Sequence, residues 1–232
     1  YTTSVYTVWE KKIMKSRDLL LGLLCTFIWG LNYPITKIMI SDWPPLLAIS
    51  LRLLIAGLVM CCFIGFPKDR FFVFFRVALF YYTLTFGLLC YALKTVPASV
   101  AAVLSELEVP FGTILGLIFF KEQVRVSQYG GLVLAFIGLI IINRSLFLES
   151  FFSSGFLFVV LSAFFFAFGC VLVKQMNENP IKITAWSTFI ASLQLMLLSF
   201  LFEFDSISKG LKWDLSFVLT VLYGAIFCTL SI

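Results

Sequence analysis

The chain has 232 residues, 61% of them hydrophobic and 12% charged, with a mean hydropathy of +1.05, whereas soluble domains carry about 25% charged residues. This is the composition of an integral membrane protein. It contains no histidine, and its six cysteines (Cys25, Cys61, Cys62, Cys90, Cys170 and Cys228) lie in apolar runs without metal-ligand spacing, which argues against a disulfide framework, a zinc site or histidine-based catalysis. The net charge of +5 sits at the ends of apolar runs, so it reads as membrane topology and not as a nucleic-acid face.

Residues 1–13, YTTSVYTVWEKKI, are polar and aperiodic and read as a disordered leader, with Met14 as the natural start. The first apolar run is long enough to span and lacks a small-residue cleavage site, so a cleaved signal peptide is not expected. A bilayer core of about 30 Å needs about 20 apolar residues in a helix. Runs of this kind extend over Leu19–Ile40, Leu46–Phe66, Phe74–Leu93, Val96–Phe120, Ser127–Ile142, Gly155–Val173 and Thr184–Phe202, and an eighth starts at Leu215 and reaches Ile232. The connections SDWPP, GFPKDR, KEQVRVSQ, NRSLFLESFFSS, KQMNENPIK and EFDSISKGLKWD carry the expected breakers. Counting Lys and Arg on alternate sides gives eleven against five, with Arg52 inside a span. The positive-inside rule then places the N-terminus and the loops after runs two, four and six in the cytoplasm, in a multi-pass inner-membrane protein.

Sliding the chain against itself by 137 residues aligns Lys37 with Lys174, Ala48 with Ala185, Thr83 with Thr220, Gly87 with Gly224 and Leu93 with Leu230. Runs six to eight then repeat runs one to three. A repeat unit of five helices is odd, so its second copy enters the membrane from the opposite side, as in many transporters. The expected organisation is a leader over 1–13, a first repeat over 14–144 and an incomplete second repeat over 145–232. Roughly 50 further residues, two more helices, are expected beyond Ile232 on the repeat's own logic.

Ionisable groups at mid-membrane are costly and are functional candidates by default. Glu106 lies about 15 Å into the fourth run, near the midplane, and Glu108 about 3 Å further. Two residues correspond to about 200° of helix rotation, so the two acids share a face only if the helix is broken. Pro110 supplies a break, because it cannot donate to the carbonyl of Glu106. Glu106 shares its side with Ser99, Pro110 and Thr113, a stripe suited to a wet pathway, which favours Glu106 for the pathway and Glu108 for an interhelical contact with a cation or hydroxyl. Glu108 lies with Ala101, Ser105, Gly112 and Gly116, where another helix can approach. For each acid, structural pairing and substrate or proton handling both stay open. Arg52, about 9 Å into the second run, could clamp a substrate carboxylate with its planar fork or pair with Glu106, Glu108 or helix carbonyls. Trp29, Asn32 and Tyr33 combine an aromatic wall with polar handles, the make-up of a small-molecule pocket. Lys37 and Lys94 read as snorkelling anchors, and Trp43 and Trp213 as interfacial belt residues. The phenylalanine clusters at 71–75 and 164–168 read as packing or lipid-facing surface.

WG at Trp29–Gly30 with Lys37, PPLLAISLRLLIAG from Pro44 and YALKTVPASVAAVLSELEVPFGTILGLIFFKEQVRVSQYGGLVLAFIGLIII from Tyr91 together resemble the EamA domain of the drug/metabolite transporter superfamily. The resemblance implies an all-α integral membrane fold of inverted five-helix repeats, with about eight of ten transmembrane helices present and a small-molecule pathway between the halves. It also points to Glu108 as the acidic position and to Glu122 as an architectural residue. Pro110 stands one position later than the family pattern. The implied function is a secondary carrier of small metabolites, amino acids or related organic ions among them, working by alternating access. Two alternatives are weighed against it. One is a non-functional or partner-dependent fragment. The other is a membrane enzyme such as a lipid or prenyl transferase, whose chemistry needs clustered Asp, His or Ser/Lys groups at one face, a pattern the sequence lacks. Expected partners are the bilayer, a small-molecule substrate and, through a carboxylate, the proton. A homodimer is compatible with this reading; nucleic acid and cofactors are not called for.

Overall fold

The computed structural model describes residues 16–65, 70–121, 153–208, 210–211 and 213–228, with isolated positions between 130 and 141. All regular structure among them is helical. The helices are α1 (Ser16–Met39), α2 (Pro45–Cys61), α3 (Phe71–Thr95), α4 (Ala98–Phe120), α5 (Ser154–Met176), α6 (Pro180–Phe202), the short α7 (Phe204–Ser208) and α8 (Leu215–Tyr223), which a π turn continues over Gly224–Cys228. Helices α1, α3, α4, α5 and α6 are long and apolar enough to cross a membrane, while α2 and α8 are shorter and equally apolar. The protein is thus a multi-pass, all-helical membrane protein. Seven of the eight expected runs are recovered; most of the run at Ser127–Ile142, together with Glu122, lies outside the described residues.

Local chemistry explains the helix ends. Proline at a helix start forfeits only an amide that would be unsatisfied anyway, and Pro45 and Pro180 take that place in α2 and α6. Ser153 Oγ accepts from Phe156 N, Asn179 Oδ1 from Ile181 N and Asp214 Oδ1 from Phe217 N, capping α5, α6 and α8. At their other ends α4 and α5 stop on left-handed residues, Lys121 (φ 52°) and Asn177 (φ 48°). Helix α2 is shorter than its apolar run because the chain turns after Cys61, and the carbonyl of Gly65 accepts Trp186 Nε1 at 3.0 Å.

The core lies where α2, α3, α5 and α6 meet, around Ile49, Leu53, Phe74, Leu93 and Leu195. The seam between α2 and α6 is tight enough that a Cβ on Gly57 would come within 2.8 Å of Phe189 Cα, so only glycine fits there. In lipid, where burial of apolar surface does not drive helices together, such close backbone contact is a main source of association. Helix α3 widens into a π turn over Ala78–Leu84, and Thr83 Oγ1 from that turn donates to Gln194 Oε1 of α6 at 2.6 Å.

A buried carboxylate joins three helices. Helix α2 has no side-chain cap of its own; instead Glu203, at the end of α6 and 6% exposed, accepts from Leu46 N at 3.1 Å and Leu47 N at 3.3 Å. Ser199 Oγ and Tyr91 Oη also donate to it, at 2.7 and 3.0 Å. A negative charge at a helix N-terminus meets both free amides and the positive end of the helix dipole. Trp43, expected in the interfacial belt, is buried. Its ring stacks on Phe217 with centroids 3.7 Å apart and meets Trp213 edge-on at 4.7 Å, because the turn between α1 and α2 folds against α8. Trp213 itself remains exposed.

Removing the Glu203 carboxylate leaves two amides and two hydroxyls without this acceptor, each such loss being worth about 1–3 kcal/mol. Glu203→Ala is expected to lower the unfolding temperature in detergent markedly, and Ser199→Ala much less. A thermal melt followed by tryptophan fluorescence measures both, and equal, small shifts would refute the cap.

Candidate functional site

Helix α1 carries the sequence WGLNYPIT, in which Pro34 cannot donate to the carbonyl of Gly30 one turn earlier. Asn32 and Tyr33 are neighbours here, pointing about 100° apart around the helix, and each serves a different group of partners. Asn32 Oδ1 accepts from Arg52 Nη1 at 2.7 Å and from Thr36 Oγ1 at 3.3 Å. Tyr33 lies within hydrogen-bonding reach of Ser105 and within electrostatic range of both Glu106 and Glu108.

Arg52 is 4% exposed and sits about 10 Å into α2. Its guanidinium carbon lies 5.8 Å from the centre of the Phe86 ring on α3. On the third side it abuts Gly224, where an added Cβ would overlap Arg52 Cδ and Nε. The neighbouring Tyr223 hydroxyl donates to the Ile28 carbonyl of α1 at 2.8 Å. Four helices therefore enclose one cation: α1 supplies its amide acceptor, α2 carries it, α3 offers a ring face and α8 leaves room for it.

The acids sit at a break in α4. Glu106 N donates to Val103 O, Leu107 N to Leu104 O and Val109 N to Glu106 O, all three residues back, before Phe111 N returns to the four-residue pattern on Leu107 O. The cause is Pro110: the Glu106 carbonyl, deprived of its usual donor, takes the Val109 amide instead. This tightening is the break that lets Glu106 and Glu108 both act on Tyr33. Glu106 is exposed and Glu108 half-buried. Tyr81 of α3 and Cys170 of α5 lie within electrostatic range of Glu108, so Glu108 is the acid that faces the interior.

The structure thus brings Arg52, Asn32, Tyr33, Glu106 and Glu108 around α1, while Trp29 lies one turn earlier and is 37% exposed. Lys37 differs from a simple snorkelling anchor: its Nζ donates to the Val96 carbonyl at 2.9 Å, capping the end of α3. Sequence reasoning passed over Phe86, Tyr223 and Tyr81 as site neighbours. Gly224 had a visible signal, its alignment with Gly87 in the repeat. Among the described residues no group of three or more His, Cys, Asp or Glu side chains could hold a metal ion.

The sequence pattern of the EamA-like transporter family matches residues 17–144 and 153–232. A Salmonella typhimurium protein named "Probable amino-acid metabolite efflux pump" is 31% identical over 229 residues, covering 94% of this chain and 76% of its own length. An Escherichia coli protein of the same name is 25% identical over 229 residues, with the same coverage of 94% and 76%. One solved crystal structure superposes with a TM-score of 0.65 at 19% identity, over 94% of this chain and 78% of its own, a likeness of fold.

Replacing Asn32 by Leu removes the acceptor of a buried guanidinium, a loss of about 1.5–3 kcal/mol for a charged hydrogen bond. Asn32→Leu is expected to lower thermal stability in detergent and Asn32→Asp to restore it. Equal melting temperatures for wild type and Asn32→Leu would show that the contact contributes nothing.

Proposed function

The chain belongs to the EamA-like transporter family, and from that premise we propose that it is a secondary carrier of small metabolites, amino acids or related organic ions among them, working by alternating access between two inverted halves. It is a membrane transporter and not an enzyme. The first half is assigned to residues 14–144 and the second to 145–232, with the N-terminus cytoplasmic in an inner membrane. Support for the inverted halves comes from the two successive matches to the family pattern and from the spacing of the helices. Helix α5 (Ser154–Met176) falls where α1 (Ser16–Met39) would be carried by the 137-residue offset.

One observation carries the reading. A guanidinium and a carboxylate, Arg52 and Glu108, are kept inside apolar helices beside α1, the first bonded to its Asn32 and the second within electrostatic range of its Tyr33. Charges in such a place cost several kcal/mol to insert, and a substrate with a carboxylate and an ammonium or hydroxyl group makes use of both. Arg52 would take the carboxylate with its fork, and Glu108 the cationic or donor end or a coupled proton. Glu108 is assigned this role over Glu106 because it faces the interior.

The test is flux in proteoliposomes. Purified protein is reconstituted and screened with labelled amino acids and organic ions, with and without an imposed pH gradient. Arg52→Gln and Glu108→Gln are each expected to reduce flux about ten-fold or more, the equivalent of one lost charged contact, and Glu106→Gln to reduce it less. Unchanged flux in all three variants would remove the assignment, and flux indifferent to the pH gradient would remove proton coupling alone.

A further inference from the structure

A cleft of about 620 Å³ opens between the end of α1, the turn into α2 and the end of α3, lined by Lys37, Asp42 and Lys94 above Ile40, Trp43 and Leu93. We propose that this cleft is a second binding site, for an apolar α-amino acid held as its zwitterion. The proposal deepens the carrier reading by adding a site at the outer end of the pathway, and it rests on that reading for its sidedness alone.

The chemistry follows from what the charged groups already do. Lys37 uses one N–H on the Val96 carbonyl, and an ammonium has three donors. Lys94 is exposed, its Nζ 5.5 Å from the centre of the Tyr91 ring, so it is restrained over an aromatic face while its donors stay open to the cleft. Asp42 accepts one hydroxyl, from Ser41 at 3.3 Å, and an ionised carboxylate has acceptor sites for more. Two cations and one anion around a common space suit a ligand with a carboxylate at one corner and an ammonium at the other. A dicarboxylate would bring its second charge towards Asp42, and an organic cation would meet the two lysines. Ile40 and Trp43, 5% and 4% exposed, present a small apolar edge to a hydrocarbon side chain, and the volume falls in the range of about 300–1,000 Å³ typical of small-molecule pockets.

The position fits a site in series with the first. Lys37 lies five residues beyond Asn32 on α1, about 7.5 Å further along its axis. A ligand in the cleft would sit outward of the Arg52–Asn32 pair without displacing it. The cleft is also wet, so its charged contacts are screened and binding there is expected to be weaker than in the interior.

The test uses the purified protein in detergent and tritiated L-leucine as the probe. Saturable binding is expected. Lys94→Gln and Asp42→Asn are each expected to weaken it about ten-fold, as loss of one charged hydrogen bond does. Both positions are exposed, so neither change threatens the fold. Leucinol, which lacks the carboxylate, and 4-methylpentanoate, which lacks the ammonium, are expected to compete far less well than unlabelled leucine. Binding unaffected by Lys94→Gln and Asp42→Asn, or no saturable binding, would each overturn the proposal. Competition by 4-methylpentanoate as strong as by leucine would overturn the role of Asp42 and leave only an anion site. Leucine held in the cleft without leucine flux in liposomes would count against the carrier reading and not against the cleft.

Discussion

Every polar group that this chain carries into lipid has to find its partner inside the protein, because hydrocarbon offers none. That constraint organises the structure from the helix ends inward. The first amides of α2 are met by Glu203 from α6. The end of α3 is met by Lys37 from α1, and the end of α5 by Arg70, whose Nη1 donates to the Met176 carbonyl at 3.0 Å and which pairs with Glu178. In each case a charge of the sign that complements the helix dipole comes from another helix. The same contacts that satisfy the backbone therefore also fix which helices are neighbours.

The interior charges follow the same rule with a different outcome. Arg52 donates through Nη1 to a neutral amide, Asn32, beside an aromatic ring. A neutral acceptor of this kind orients a guanidinium without cancelling its charge. Glu108 lies within electrostatic range of Tyr33 of α1, of Tyr81 and Cys170, and of the second acid, Glu106. A guanidinium and a carboxylate thus lie near two neighbouring residues, Asn32 and Tyr33, of a single helix.

How much of this could be read from the residues depends on how local the cause is. The spans were legible because an apolar run in a bilayer has few alternatives to a helix. The break in α4 was legible because it comes from one missing amide, at Pro110, acting on a carbonyl four residues away. Arg52, Asn32 and Tyr33 could be singled out as polar residues in apolar runs, but which of them meet depends on the rotation and crossing of α1 and α2. Glu203 was hidden for a further reason. It stands where α6 gives way to the polar linker EFDSISKGLKWD, where a charge looks solvated, and its chief partners are backbone amides that a reading of side chains does not register. Trp43 was misplaced in the same way, since a tryptophan at a span end reads as interfacial until the turn folds it onto Phe217.

The stiff and the soft parts of the molecule are consequently distinct. The α2–α6 seam is closed by the Gly57–Phe189 approach, by the Glu203 cap and, from α3, by the Thr83–Gln194 bond, so its members shift only together. Arg52 rides on that unit and is further confined by Gly224. Helix α4 is different at Glu106–Val109, where hydrogen bonds reach only three residues back and a proline removes the regular alternative. The three-residue pattern has the poorer geometry of the two, so the ladder is weakest at the two acids. The cation is thus mounted on the close-packed seam and the carboxylates beside a proline break, with α1 bonded to the first through Asn32 and within electrostatic range of the second through Tyr33.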